Sequence, residues 1–525
     1  MPRRATGLPK QGRDVLLETG VPVNNEKELK AFLDDVENRL EEIEVEKGET
    51  LWKKYIREPS GDLNEIERKR SEIILNEEYL ATVKKWKPET RDAHLQTRLR
   101  VLEKLLLREH VEAKPDVFGL RNKINEDNIA FKPIVLGKPM QRSDVYEMLR
   151  KNADSAKRKA AWESFSKLAH KIEEDVRQLI KLRNAHIHDS GYEPYDAYVL
   201  AQNMIDKAEL LRLYEELCDL SEPFLSSVLD DVRDNLKIEE LQPWDISYII
   251  DQFVKPPDAH FPRDQIFQKT KDLARSFGFV PEELPILIKE TDIPFGGLCF
   301  GIRIPTDMRI LSNPRDGHRF YSTLFHEYGH ALHGCFIDQG SFALKDEAGC
   351  FCEGMACIME HFASDADWLR ENTSVPETEI RRFVKANKIS RLLRLRNLVA
   401  LSTFEFQAYD NPDQDLNRLW SKTRSKYLFV KENETPQWAS QSIFTTHSIY
   451  FQNYIIADLI AAQTIAHLKD SHGTPLNNPE VSKFLISNYY APGASIDWQD
   501  KIEKATGRKL SANPFIQQLT SAHSK

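Results

Sequence analysis

The 525-residue chain has an ordinary globular composition, with 41% hydrophobic and 30% charged residues, and a net charge of −9. This acidic balance argues against a nucleic-acid-binding protein, because such proteins usually carry a basic surplus. The most apolar stretches are short or carry charged residues, so no membrane span is predicted. The N-terminus is basic but lacks the apolar core of a secretory signal. Six cysteines are too few for a disulfide framework, so we expect reduced thiols in a cytoplasmic protein.

The first half of the chain is predicted to be mostly helical. Residues 1–24 are polar and are expected to be loose. Asn25, followed three residues later by Glu28, resembles a capping box, and apolar residues then recur at helical spacing. Similar patterns continue to about residue 230, interrupted by prolines. The sequence therefore predicts a mainly α protein.

Residues 276–313 are the best candidates for β-strands in the chain, because they are rich in Gly, Pro and β-branched residues. A helical pattern follows and is predicted to end at Gly334, a residue type common just after helix ends. A second helix is predicted over 349–362, and helices continue over about 375–470. This order predicts a small sheet directly before a pair of helices.

The first helix of that pair contains the stretch "FHEYGH". His326 and His330 are four residues apart, so both imidazoles can point toward one metal ion. Glu327 lies beside the ion, where its carboxylate can take a proton from water. Because Gly329 has no side chain, it would let another helix or strand pack close to the metal. A chance match is expected in only about a few per cent of such sequences, so this pattern indicates a zinc site.

A catalytic zinc ion needs a third protein ligand and one open position. The acidic candidates downstream are Asp338, Asp346, Glu347, Glu353 and Glu360. Glu353 and Glu360 are seven residues apart on the second helix, so one could bind the ion while the other accepts a hydrogen bond from a zinc-bound histidine. Their spacing alone does not show which of the two binds the ion and which accepts the hydrogen bond. The thiols of Cys350, Cys352 and Cys357 are alternatives, since thiolates also bind zinc.

Two other histidine patterns are set aside. His186 and His188 are two residues apart and point to different faces of a helix, which is unsuited to a shared ion. His333 follows the motif by three residues and would lie past the metal, so we predict that it either supports a metal ligand or has a structural role.

The segment "FHEYGHALHG" with "EGMACIME" resembles the thimet oligopeptidase and oligoendopeptidase F family of zinc peptidases, and is also similar to the angiotensin-converting-enzyme family. "LIKLRNAHIHDSGYEPYDAY" and "APGASIDWQDKIEKATGRKLSANPF" resemble further segments of these peptidases, so the resemblance covers about residues 140–520. It implies one Zn²⁺ per chain, bound by His326, His330 and Glu353, with Glu360 supporting a histidine.

The resemblance also implies an oxyanion donor across the cleft from the zinc ion. The matching segment is "THSIYFQNYIIADLIAAQ", which departs from the tyrosine spacing of the oligopeptidases. Tyr450 is the predicted donor, and Tyr454 and His447 are the alternatives. Each tyrosine could instead be a core residue with one bonded hydroxyl.

The strand-like "GGLCFGI" is expected to pair with an extended peptide, through Gly296, Gly297, Leu298 and Cys299, or to be an ordinary hairpin. The resemblance implies a helical two-lobed metallopeptidase with a deep substrate channel and a small β-sheet beside the histidine helix. We predict a lobe over 25–285 and a catalytic zinc lobe over 286–525, interwoven in one unit.

The predicted function is zinc-dependent hydrolysis of short oligopeptides by an oligoendopeptidase, with Glu327 as the general base. A peptidyl-dipeptidase or carboxypeptidase is the enzymatic alternative, and a non-catalytic, zinc-stabilised peptide-binding protein is the alternative of another class. Short peptides are the expected partners, without nucleic acid or membrane, and the chain is expected to be a monomer or a small homo-oligomer.

Overall fold

The computed structural model of the protein describes residues 23–188, 192–252, 258–293 and 295–520. Helices make up 71% of the structure, so the mainly α prediction is confirmed. The predicted loose segment, residues 1–24, lies outside the described residues apart from Val23 and Asn24. The division into lobes at residue 285 stays a prediction.

Twelve of the described helices precede the main sheet. They are α1 (Glu26–Tyr55), α2 (Leu63–Ile74), α3 (Glu77–Glu89), α4 (Ala93–His110), α5 (Pro115–Ala130), α6 (Arg142–Lys151), α7 (Ser155–Glu163), α8 (Ser166–His186), α9 (Tyr195–Gln202), α10 (Lys207–Leu236), α11 (Ile246–Gln252) and α12 (Ile266–Ser276). Helix α1 begins as predicted, because the Asn25 side chain accepts a hydrogen bond from the backbone N–H of Glu28 at 3.0 Å. Its buried face carries Leu29, Leu33 and Val36, the apolar positions expected from the helical spacing.

A three-stranded sheet occupies the region predicted for strands. It contains β3 (Ile286–Glu290), β4 (Gly297–Arg303) and β5 (Asp307–Ser312), in the spatial order β3-β5-β4. β5 pairs in parallel with β3 and antiparallel with β4, so β4 is an outer strand with one unpaired edge within the described sheet. A further hairpin, β1 (Ile134–Val135) with β2 (Lys138–Pro139), lies outside the predicted strand region. Its strands are too short to show a period of two.

Ten described helices follow the sheet. They are α13 (His318–Cys335), α14 (Gly349–His361), α15 (Ala366–Asn372), α16 (Glu377–Asp410), α17 (Leu416–Leu428), α18 (Ser442–Thr446), α19 (Phe451–His472), α20 (Glu480–Leu485), α21 (Trp498–Thr506) and α22 (Asn513–Thr520). The prediction that α13 ends at Gly334 is wrong, because the helix continues to Cys335. Gly334 serves packing instead, since a Cβ atom there would lie 2.5 Å from Cε of Met308 on β5.

Helix α14 packs between α13 and α19 in the main hydrophobic core. Glycines permit this close approach on both sides. A Cβ atom at Gly329 of α13 would lie 2.7 Å from Cα of Ala356, and one at Gly354 of α14 would lie 2.9 Å from Cγ2 of Ile460. Helix α14 is therefore held at a fixed distance from the histidine helix, as the sequence at Gly329 led us to expect.

Among the described residues, no helix combines the length and the apolar character needed to cross a bilayer. All six cysteines are free thiols.

Candidate metal centre and active site

The two histidines of the FHEYGH stretch lie one turn apart on α13, on the face that meets α14. Their ring centroids are 4.8 Å apart and their planes are nearly perpendicular. Burial, together with the neighbouring His326, lowers the pKa of His330 to about 3. The His330 imidazole is therefore neutral, which is the form that binds a metal.

Glu353 of α14 completes this group. Its Oε2 lies 3.3 Å from Nε2 of His326 and 3.8 Å from Nε2 of His330. Glu353 is only 8% exposed, and among the described residues its buried Oε2 has no hydrogen-bond partner. Because a buried carboxylate oxygen is costly unless a donor or cation faces it, this atom fits a bound cation. Two imidazoles and one carboxylate form a donor set that suits zinc.

Glu360 contacts His326 on the side of the ring away from Glu353. Its Oε2 is 2.9 Å from Nδ1 of His326, and its Oε1 accepts a hydrogen bond from Oγ of Ser322 at 2.9 Å. Burial opposes ionisation, but the contact with His326 prevails and lowers the pKa of Glu360 to about 2. A charged Glu360 thus turns Nε2 of His326 toward Glu353.

A second grouping of possible ligand atoms combines His326, Glu360 and Cys357. It is the weaker candidate, because burial raises the pKa of the Cys357 thiol to about 11 and keeps it protonated. Glu347, another ligand candidate from the sequence, makes contacts outside this group. Its carboxylate lies between His333 and the buried Lys501, which also gives His333 a structural contact.

Glu327 faces a cavity of about 370 Å³ that all three candidate ligands help to line. Burial raises the pKa of Glu327 to about 7, and the backbone of Cys299 on β4 opposes this rise by hydrogen bonding. A Cβ atom at Gly297 would lie only 2.9 Å from Cγ of Glu327. The beginning of β4 therefore lies directly against the candidate base.

Tyr450, at the start of α19, reaches the metal group directly. Its hydroxyl donates a hydrogen bond to Oε1 of Glu353 at 2.9 Å, and burial raises the pKa of Tyr450, so the hydroxyl stays protonated. Tyr454 packs edge-on against Tyr450 and lines the cavity in front of Glu353. His447 is exposed, with Nδ1 bonded to Oγ1 of Thr446 and its ring 5.8 Å from that of Tyr450.

A buried network that sequence reasoning missed holds the segment before Tyr450. Arg183 of α8 donates hydrogen bonds to the carbonyl oxygens of Phe444 and Thr445 at 2.9 and 2.8 Å. Glu405 of α16 accepts one from the N–H of Ile449 at 2.8 Å. Ile449 has φ of 55°, a left-handed conformation that is unfavourable for a β-branched residue. These contacts stabilise the strained turn that leads into Tyr450.

Two signals in the sequence could have revealed this network. Arg183 belongs to the "LRN" segment, whose resemblance to known peptidases was noted without a role. Glu405 is an acidic residue within the apolar run "LSTFEFQAY", and such a residue needs a buried partner.

The histidines set aside in the sequence make no metal cluster among the described residues. His186 pairs with Asp116, and His188 pairs with Glu193. Both are ordinary ion-pair contacts near the surface.

Two family models match the chain, each over less than half of its length. The model described as "Peptidase family M3" matches residues 309–521, which include most of β5, the two histidines, Glu353 and the tyrosines. The model described as "Angiotensin-converting enzyme" matches residues 23–242. The resemblance therefore extends to the N-terminal helices, beyond the limit near residue 140 indicated by sequence motifs. No curated protein gives a significant match to the chain.

Both matches are to metallopeptidase families, and the mainly helical fold agrees with this class of protein. The two matches support peptide-bond hydrolysis by a metallopeptidase as the type of reaction.

Proposed function

We propose that the chain is a zinc-dependent oligoendopeptidase that cleaves short peptides, with Glu327 as its general base. One observation carries this proposal. The buried Oε2 of Glu353 lacks a partner and faces Nε2 of both His326 and His330, while Glu327 lies beside them. A non-catalytic zinc site would not need a buried carboxylate next to the ligands.

His326, His330 and Glu353 would hold the ion. When bound there, zinc would polarise the scissile carbonyl and make a nearby water molecule more acidic. Glu327 takes a proton from the attacking water and passes it to the nitrogen of the leaving amine. Glu360 keeps the His326 ring in its orientation throughout.

Tyr450 is our proposed donor to the oxyanion that forms at the carbonyl oxygen. Its protonated hydroxyl lies within hydrogen-bonding distance of Oε1 of Glu353, a proposed ligand, and is therefore close to where the carbonyl oxygen would be polarised. Tyr454 and His447 remain the alternative donors; of the two, only Tyr454 lines the cavity at the ligands.

Substrate binding is proposed to occur along β4. This strand has an unpaired edge, and an extended peptide can add to such an edge through backbone hydrogen bonds. Gly296 and Gly297 allow the strand to approach Thr323 and Glu327 of α13 closely, so a peptide beside Leu298 and Cys299 would lie over the candidate metal site. A cytoplasmic location and a monomeric or small homo-oligomeric state remain predictions from the sequence.

The test compares wild type with Glu327→Gln. We expect the variant to bind about one zinc ion per chain, as wild type does, and to lose peptide hydrolysis by at least a hundredfold. Glu282→Gln, at an exposed glutamate, is the matched control and should retain full activity. Full turnover by Glu327→Gln would exclude this mechanism. An internally quenched peptide and a C-terminally blocked peptide would distinguish endopeptidase from exopeptidase action.

A further inference from the structure

The position of Tyr450 depends on the short segment that leads into α19. Helix α18 is only five residues long, so the carbonyl groups of its last turn lack partners within the helix. Ile449 then adopts a φ of 55° immediately before Tyr450. Because this left-handed conformation is unfavourable for a β-branched residue, neighbouring groups must hold the backbone in it.

The guanidinium group of Arg183 binds the end of α18. Nη1 donates a hydrogen bond to the carbonyl oxygen of Phe444, and Nη2 donates one to that of Thr445. Nη1 also donates to the hydroxyl of Tyr409 at 3.0 Å, and Nη2 donates to Oε2 of Glu112 at 3.2 Å. Arg183 is 0% exposed. Since these bonds diverge from one planar group, a lysine at this position could not reproduce them.

Glu112, in the connection between α4 and α5, contacts both the arginine and the turn. Its Oε1 lies 2.8 Å from Nε of Arg183 and accepts hydrogen bonds from the hydroxyls of Tyr195 at 2.9 Å and Ser448 at 3.3 Å. Ser448 is two residues before Tyr450. Glu112 therefore orients the guanidinium group and restrains the turn at the same time.

These contacts act on the backbone before Tyr450 and not on its side chain. The hydroxyl of Tyr450 bonds to Glu353, and its ring packs against Tyr454. Neither Arg183 nor Glu112 lines the cavity at the candidate metal ligands or the larger cavity beside it. A change at either residue can therefore shift the Tyr450 hydroxyl without removing a group that contacts the ion or the substrate.

We propose that Arg183 and Glu112 are positioning residues for Tyr450, which hold the strained turn in the conformation that directs its hydroxyl to the metal group. This inference rests on the proposed function, in which Tyr450 donates to the oxyanion. Both residues then affect the reaction only through Tyr450. Their loss should lower kcat, with little change in KM or in zinc binding.

The kinetic test uses a peptide that the wild-type, zinc-loaded enzyme cleaves. We expect Arg183→Lys to lower kcat about 10- to 100-fold, with KM and zinc content close to those of wild type. Added to Tyr450→Phe, the same change should lower kcat by no more than about twofold, because the hydroxyl through which it acts is already absent. Glu112→Gln preserves the shape of the side chain and should show a smaller loss with the same dependence on Tyr450. It provides the test if Arg183→Lys does not fold.

Arg158 of α7 offers a matched control. It is only 2% exposed, forms an ion pair with Asp245 and donates hydrogen bonds to the carbonyl oxygens of Asn152 and Ala153. Arg158→Lys should therefore disturb a similar buried network while kcat stays close to that of wild type. Equal losses of kcat in the two lysine variants would indicate a general structural effect and overturn the inference. An undiminished effect of Arg183→Lys in the Tyr450→Phe background would overturn it as well.

Hydrogen exchange of the full-length, zinc-loaded chain gives a readout that does not depend on turnover. Arg183→Lys should speed the exchange of backbone amides over residues 444–450 by about tenfold or more, and leave that of α13 unchanged. Unchanged exchange over 444–450 would show that Arg183 does not hold this segment, and the inference would fail. If wild type cleaves no peptide, the proposed function fails, whereas the exchange result still decides whether Arg183 holds the turn.

Discussion

The hydroxyl of Tyr450 and the carboxylate of Glu353 are joined by a hydrogen bond of 2.9 Å between Oη and Oε1. The other oxygen of the same carboxylate faces His326 and His330. Glu353 thus connects the candidate metal ligands of α13 with the start of α19. A tyrosine in this position can orient the ligand, donate to the substrate, or do both.

Replacing Tyr450 with Phe separates these roles. If the hydroxyl donates to the oxyanion, Tyr450→Phe should lower kcat about a hundredfold or more while zinc affinity and KM change little. Metal titration and steady-state kinetics on one peptide provide both readouts. Tyr454→Phe, on the neighbouring ring, is the control and should affect kcat less. A large loss of zinc affinity with nearly normal kcat in the loaded enzyme would assign Tyr450 an orienting role only.

The contact between Glu360 and Nδ1 of His326 predicts an effect on metal affinity. Glu360→Gln removes the negative charge but preserves the shape, so His326 is less firmly oriented and less basic. We expect zinc affinity to fall about 10- to 100-fold, measured by competition with a chelator. Ser322→Ala, which removes only the other contact of Glu360, should have a smaller effect. Unchanged affinity in Glu360→Gln would show that this contact does not support the metal site.

The close approach of α13 and α14 predicts that Gly329 is sensitive to even one added methyl group. In Gly329→Ala, Cβ would lie 2.7 Å from Cα of Ala356, so α14 and its Glu353 must move away from the histidines. We expect a loss of about 1–3 kcal/mol in the free energy of unfolding, together with weaker zinc binding. Gly340→Ala is the matched control, since a Cβ atom there meets nothing within 4 Å. Equal melting temperatures for the two variants would contradict this prediction.

Glu405 predicts a pH-dependent stability. Burial raises its pKa to about 8, helped by Asp196 and opposed by the N–H of Ile449 and by Arg183. Because the pKa in the folded protein exceeds that of the unfolded chain, near 4.5, the contribution of this group is full at low pH. It is lost progressively as the pH rises from about 4.5, and the loss is complete above about 8. The loss is on the order of a few kcal/mol.

The measurement compares wild type and Glu405→Gln by thermal unfolding at pH 5.5 and pH 8.5. Glutamine imitates the neutral carboxyl, and at pH 5.5 most of the contribution of Glu405 is still present, so the difference in melting temperature between the two proteins should be small. At pH 8.5 the variant should be the more stable one. Comparison at equal pH cancels the titration of the candidate metal ligands His326 and His330, which both proteins share. A constant difference between the two proteins at both pH values would show that Glu405 is ionised in the native state across this range.

The sequence by itself determined the features that depend on local periodicity. The four-residue spacing of His326 and His330 brings both imidazoles to one face of a helix wherever that helix lies, and Glu327 accompanies them. Asn25 marked the start of α1 for the same local reason. The end of α13 was misjudged, because Gly334 is required by the side chain of Met308 on another element.

The seven-residue spacing of Glu353 and Glu360 makes them equivalent on one helical face, so the residues alone did not distinguish them. The resemblance indicated Glu353 as the ligand, and only the tertiary structure shows which contacts each carboxylate makes. The packing of α14 against α13 at Gly329 turns the oxygen of Glu353 toward Nε2 of both histidines and that of Glu360 toward Nδ1 of His326. The contacts of Arg183 with Phe444 and Thr445 join residues more than two hundred positions apart. Such contacts depend on how the helices and strands pack, and no periodic pattern in the sequence indicates them.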